Sequence, residues 1–145
     1  MMDAQELLRL LAKDRWVAFA TVDDGQPRVR MMTVSLHDRQ LWCFTSAASA
    51  KAGQLKRDDR FELVAHMEGE GNISSLRAMG RAEVVTDLSV KEALATANPS
   101  FKEHWSSFED PDFMLLRLQV ESIEIERGPA TKAERYVLAR SSSQA

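Results

Sequence analysis

Apolar residues along this chain change rhythm several times. Over residues 3–15 they recur at helical spacing, with Leu7, Leu8, Leu10 and Leu11 as a buried stripe. Asp3 is placed to cap that helix, with Glu6 three residues on. From Trp16 the rhythm shortens. "WVAFATV", "RVRMMTVSL" and "LWCFTS" predict three strands, separated by the turns "DDGQP" and "HDRQ", as in an antiparallel meander. A short helix is predicted over 49–58 and a strand over 60–68. A long strand over 73–87 carries Gly80 at a bend or bulge. Residues 87–105 read as helix, interrupted at Asn98-Pro99, and 113–126 as a long strand whose apolar parity changes at Ser122. The reading is mainly β (α+β by content): a six-stranded antiparallel barrel with flanking helices, because closure removes the exposed edges of so small a sheet. Trp16 and Trp42 are read as core.

Composition narrows the classes. The 145 residues suit one domain with one core, assigned to 1–138, followed by a disordered polar tail, "ARSSSQA", over 139–145. A net charge of −3 argues against a broad nucleic-acid-binding surface. The single cysteine, Cys43, excludes an internal disulfide framework and fits a reducing compartment. The N-terminus lacks the basic start and apolar core of a secretory signal, and no apolar run is long enough to span a bilayer. The expectation is a cytoplasmic protein without nucleic-acid or membrane partners.

The chemistry concentrates after the third strand, in "FTSAASAKAGQL". With Ser49 as N-cap, Lys51 falls in the first turn of the next helix, where the macrodipole disfavours a cation. An anion reverses the sign: the helix N-terminus, the hydroxyls of Thr45, Ser46 and Ser49, and the Lys51 ammonium would then face one phosphate. Against this stands the plain reading of an ordinary surface lysine. Arg28 and Arg30 alternate along the preceding strand, so both point to one face, solvated or ligand-facing.

In this order the features resemble the flavin mononucleotide (FMN)-binding split-barrel family, which includes pyridoxamine 5′-phosphate oxidase and the general stress protein 26-like proteins. The likeness covers roughly residues 5–128 and is densest over 18–64. It implies a split β-barrel and a homodimer with flavin at the subunit interface. It also implies a small-molecule substrate or an electron donor such as NAD(P)H. Arg30 matches the family's phosphate-contacting strand arginine, Ser49 and Lys51 its phosphate turn, and Thr45 and Ser46 its Thr-Asn pair. Met31, Met32 and Thr33 occupy the strand beside the isoalloxazine, where backbone groups make the contacts. The sequence also departs from the oxidase. Ala50 stands in place of an arginine, Ser35 of a lysine and Glu126 of a tryptophan, and the terminal Arg-x-His-x-Arg substrate motif is absent from "TKAERYVLAR".

Other residues allow two readings. His66, Glu68 and Glu70 share a strand face that could hold a metal, but a solvated face is favoured and no metal site is assigned. Cys43, within an apolar strand, reads as a buried structural thiol. The methionines fill a core or line a flavin. Trp105 either caps a cofactor pocket or staples its helix to the barrel. The leading function is an FMN-dependent oxidoreductase of unknown substrate, not a true pyridoxamine 5′-phosphate oxidase. The alternatives are a non-catalytic flavin or stress-response protein, and a split barrel holding haem or a deazaflavin.

Overall fold

In a computed structural model, residues 2–13, 16–68, 71–129 and 132–138 are described. Helix α1 spans Ala4–Leu11, and Asp3 caps it by accepting from the Glu6 N–H at 2.9 Å. Of the predicted stripe, Leu7, Leu8 and Leu11 are buried, each stabilising the fold by about 1.5–3 kcal/mol, whereas Leu10 is only partly buried at the edge of the core. Strands β1 (Trp16–Asp23) and β2 (Gln26–Thr33) form a hairpin closed by Asp24 and Gly25, both at positive φ. Then follow β3 (Ser35–His37), β4 (Gln40–Ser46), α2 (Ala50–Arg57), β5 (Arg60–His66) and β6 (Ile73–Val85). Helix α3 (Leu88–Ala97) and a 3-10 turn at Pro99–Glu103 precede β7 (Phe113–Arg127) and β8 (Glu134–Val137).

The strands pair in the order β2-β1-β5-β6-β7-β4-β3, with β8 beside β7. β2 and β3 lie at opposite ends of that path, yet Val34 alone separates them in the chain. The sheet must therefore curl until its ends meet, which makes it a split barrel. The described residues contain eight strands, where the sequence pattern predicted six. The predicted second strand breaks at Val34 because its first part pairs β1 and its last part pairs β4. β8 adds the other; its four residues in "AERYV" carry too weak an alternation to announce it.

Gly80 explains the curl of the longest strands. Met79 pairs with Ser122 but Gly80 with Val120, leaving Glu121 as the extra residue of a bulge. This is one position from the predicted parity change. A Cβ on Gly80 would lie 1.9 Å from the Gln119 carbonyl oxygen, so only glycine fits. The barrel interior is packed by α1, Val17, Phe19, Leu41, Leu63, Leu76, Leu116 and Ile123 among others. A second apolar cluster, Trp42, Leu94, Phe101, Phe113 and Leu115, lies where α3 and the 3-10 turn cover the outer face of β4 and β7. The single expected core is thus two, and β7 reads "FMLL" because both its faces are covered there. The assigned tail, 139–145, lies outside the described residues.

Candidate functional site

Alternation in β2 sends Arg30 and Met32 to the inner face and Val29, Met31 and Thr33 to the outer one. Arg30 bridges β1 to α2. Its guanidinium donates to the Phe19 carbonyl at 3.2 Å, to Thr21 Oγ1 at 2.8 Å and to Gln54 Oε1 at 2.8 Å. Thr21 also donates to Gln54 Oε1 at 2.6 Å, and both side chains are buried. Every one of these partners is neutral. Burial, and secondarily the charge of Arg28, pulls the Arg30 pKa down. Arg28 itself is half exposed and sits 3.8 Å from Asp23.

Lys51 enters the same region from the first turn of α2. Ser49 caps that helix, accepting from the Ala52 N–H at 3.3 Å. The Lys51 ammonium donates to Thr45 Oγ1, which lies 3.2 Å from Ser49 Oγ. Burial lowers the Lys51 pKa, the neighbouring Cys43 sulfur opposes this, and Arg30 reinforces it. Among the described residues neither Arg30 nor Lys51 forms an ion pair with a carboxylate. Cys43 is wholly buried, and its thiol is pushed up to about 12 by burial.

A cleft of about 1000 Å³ opens on the other side of β4. Trp16, Trp42, Phe44 and Trp105 supply its aromatic walls, and its polar lining includes Thr33, Ser35, Ser46 and His104 together with the charged Arg9, Lys13 and Glu103. Thr45 belongs to both places, lining the cleft while holding Lys51 and Ser49. Trp105 packs at a tilt against Phe101, with ring centroids 5.5 Å apart, and against Phe113 at 5.1 Å, so it staples the second core as well as lining the cleft. Its indole N–H donates to Asp112 Oδ2 at 3.0 Å, and Ser46 donates to Asp112 Oδ1 at 2.5 Å.

The sequence-predicted residues therefore fall into two neighbouring groups. Arg30, Thr45, Ser49 and Lys51 gather around the start of α2. Thr33, Thr45, Ser46 and Trp105 line the cleft. Met32 is buried in the barrel core, and Met31 is 57% exposed on the outer face. Trp16, read as core, is 65% exposed: it begins β1 on the outer face, opposite Thr33, where the described residues do not cover it. Sequence reasoning missed Thr21, Gln54 and Asp112. Thr21 was findable, as a hydroxyl in the same parity as Val17 and Phe19. Asp112, one of several acids in a turn, carried no signal. Of the residues where the sequence departs from the oxidase, Ala50 is exposed at the start of α2, Ser35 lines the cleft, and Glu126 pairs with Arg77 at 3.3 Å. His66 faces Glu68 at 3.3 Å on an exposed strand end, and Glu70 lies outside the described residues. Among the described residues no three His, Cys, Asp or Glu side chains gather as metal ligands.

A family model described as pyridoxamine 5′-phosphate oxidase matches residues 4–126. The chain belongs to the pyridoxamine 5′-phosphate oxidase family. No curated protein sequence matches it. Solved structures of the same fold include general stress protein 26 from Bacillus anthracis, at 19% identity and TM-score 0.72, covering 94% of this chain and 100% of that one. A FAD-binding protein from Mesorhizobium loti aligns at 21% identity and TM-score 0.65, over 84% of this chain and 92% of its own. A haem-binding protein from Mycobacterium smegmatis aligns at 19% identity and TM-score 0.71, over 94% of this chain and 59% of its own. Proteins described as binding different ligands thus share this fold. No helix among the described residues is long and apolar enough to cross a membrane.

Proposed function

We propose that this protein binds FMN, with the phosphate between Arg30 and Lys51 at the start of α2 and the ring toward the aromatic cleft, and that it is an FMN-dependent oxidoreductase. The observation that carries the reading is a pair of half-buried cations whose hydrogen-bond partners are all neutral. Holding two such charges near each other costs stability unless an anion joins them. A phosphate at a capped helix N-terminus supplies that anion. Thr45 and Ser49 would add hydroxyl contacts, and Thr45 joins this end to the cleft. FMN supplies hydride or electron transfer when bound; the chain binds and orients it and keeps water from its phosphate end.

The substrate is a small molecule other than pyridoxamine 5′-phosphate, since the Arg-x-His-x-Arg motif that would hold that substrate is absent from 131–140, where Arg135 and Arg140 stand without it. NAD(P)H is the proposed electron donor, the cytoplasm the proposed location, and a homodimer with flavin at its interface the proposed assembly. A non-catalytic flavin carrier would bind FMN without turnover, which anaerobic reduction by NAD(P)H coupled to an acceptor separates. Haem is the second reading, supported by the mycobacterial neighbour and by His104 in the cleft. The absorption spectrum of the purified protein distinguishes a flavin from a Soret band.

The binding reading is tested by titrating FMN and riboflavin against wild type and Lys51→Ala. A charge-assisted hydrogen bond is worth about 1.5–3 kcal/mol, or roughly a tenfold to hundredfold loss of FMN affinity. Riboflavin, lacking the phosphate, should bind both proteins alike. Equal loss of both flavins, or of neither, would remove Lys51 from the phosphate site.

A further inference from the structure

Residues 46–48, which lead into the Ser49 cap, are held by a residue from a distant part of the chain. The Asp112 carboxylate accepts from Ser46 Oγ at 2.5 Å through one oxygen and from Trp105 Nε1 at 3.0 Å through the other. Its main-chain carbonyl accepts the Ala47 N–H at 2.7 Å. Ser46 Oγ in turn accepts the Ala48 N–H at 3.2 Å. Asp112 is itself fixed, its N–H donating to Asp110 Oδ1 at 2.9 Å immediately before β7 begins. Hydrogen bonds from Ser46 and then Trp105 hold the Asp112 carboxyl below the usual carboxylate range, so it is ionised at neutral pH.

Two consequences follow. The Ser46 hydroxyl and the Trp105 indole each give their polar hydrogen to Asp112, so neither is available to donate to a ligand without breaking this link. Ser46 and Thr45 point to opposite faces of β4, which keeps the Asp112 charge on the cleft side and away from the Lys51 ammonium.

We infer that Asp112 is a positioning residue: one carboxylate ties the turn that leads into the Ser49 cap to the Trp105 wall and fixes the spacing between that turn and the cleft wall. The geometry stands by itself; its consequence for flavin rests on the reading proposed above. Asparagine at this position keeps the shape but offers one acceptor oxygen, so one of the two donors loses its partner.

The test uses the full chain and its Asp112→Asn and Asp112→Ala variants, with two readouts. Amide hydrogen exchange of the flavin-free proteins should quicken at Ala47 and Ala48 by roughly tenfold in both variants, while β4–β7 core amides keep their rates. FMN and riboflavin should then both weaken, by similar factors of about ten, because the ring wall and the turn loosen together. That pattern differs from Lys51→Ala, which should affect FMN alone. Unchanged exchange at Ala47 and Ala48, or acceleration spread evenly over the barrel, overturns the inference. So does faster local exchange with flavin affinity untouched. If the wild type binds neither flavin, the functional reading falls, and the exchange measurement still decides the structural claim. Asp112→Asn serves where Asp112→Ala fails to fold.

Discussion

Lys51 is the residue at which stability and the proposed phosphate binding pull apart. Its ammonium is half buried beside Arg30 and touches only a hydroxyl among hydrogen-bonding groups. Burial depresses its pKa below the ordinary lysine value of 10.5. The unfolded chain therefore holds that proton more firmly than the native one. The resulting penalty is complete below the native pKa and fades as pH rises toward 10.5. Lys51→Met should accordingly raise the stability of the flavin-free protein at neutral pH. The gain should stay below about 1 kcal/mol, because half-exposed charge is screened by solvent. The gain should shrink as pH climbs toward 10.5, and the same variant should lose FMN affinity. Denaturant titrations of both proteins across that pH range check the sign; a variant less stable at pH 7 would mean the charge is compensated. Cys43 does not confuse the comparison, since its native thiol keeps its proton until about 12 and its unfolded thiol is common to both proteins.

At the scale of elements, the bulge of β7 opposite Gly80 shapes the barrel. The backbone of Gln119 and Glu121 approaches Gly80 so closely that a methyl group has no room. Backbone cannot rotate aside as a long side chain can. Gly80→Ala should therefore destabilise the protein by about 1–3 kcal/mol, measured as a lower denaturation midpoint with little change in slope. A neutral result would mean that β6 and β7 part freely at this point. The sequence pointed to Gly80 through an isolated glycine in a strand pattern and to β7 through a change of parity. Both signals are local, and both were legible. Val34 gave no such signal, because a chain passing from one sheet end to the other looks like an uninterrupted strand when every residue remains extended.

For the whole molecule, the outer face of the β1–β2 hairpin is the unusual surface. Trp16 is 65% exposed, Val29 69% and Met31 57%, and the strand register places all three on one face with Ala18 and Ala20. Contiguous apolar surface of this kind marks an interaction site in soluble proteins. It would supply the interface of the proposed homodimer, adjoining the cleft through Trp16 and Thr33. Replacing Val29 and Met31 together by glutamate should convert a dimer to a monomer, as burying two carboxylates in an apolar interface is prohibitive. Light scattering at micromolar concentration would read the change, and FMN affinity should fall with it. A wild-type monomer that still binds flavin would refute this assembly.

By itself the sequence determined the local elements: the capped helices, the Asp-Gly hairpin, the glycine in β6, and the unusual cation at Ser49–Lys51. Each depends on contacts a few residues apart, where propensity and periodicity act. It also determined that the chain resembles the split-barrel flavoproteins, through an ordered set of such local signals. Only the tertiary structure decided what those elements enclose. It turned Trp16 outward, divided one expected core into two, and split a predicted strand between the two ends of the sheet. It placed Thr21 and Gln54 under Arg30 and set Asp112 against Ser46. These partners are far apart in sequence, and hydrogen bonds between single polar side chains leave no periodic trace. Burial of a strand's face depends on which elements lie over it, and the chain's own alternation cannot say which face that will be.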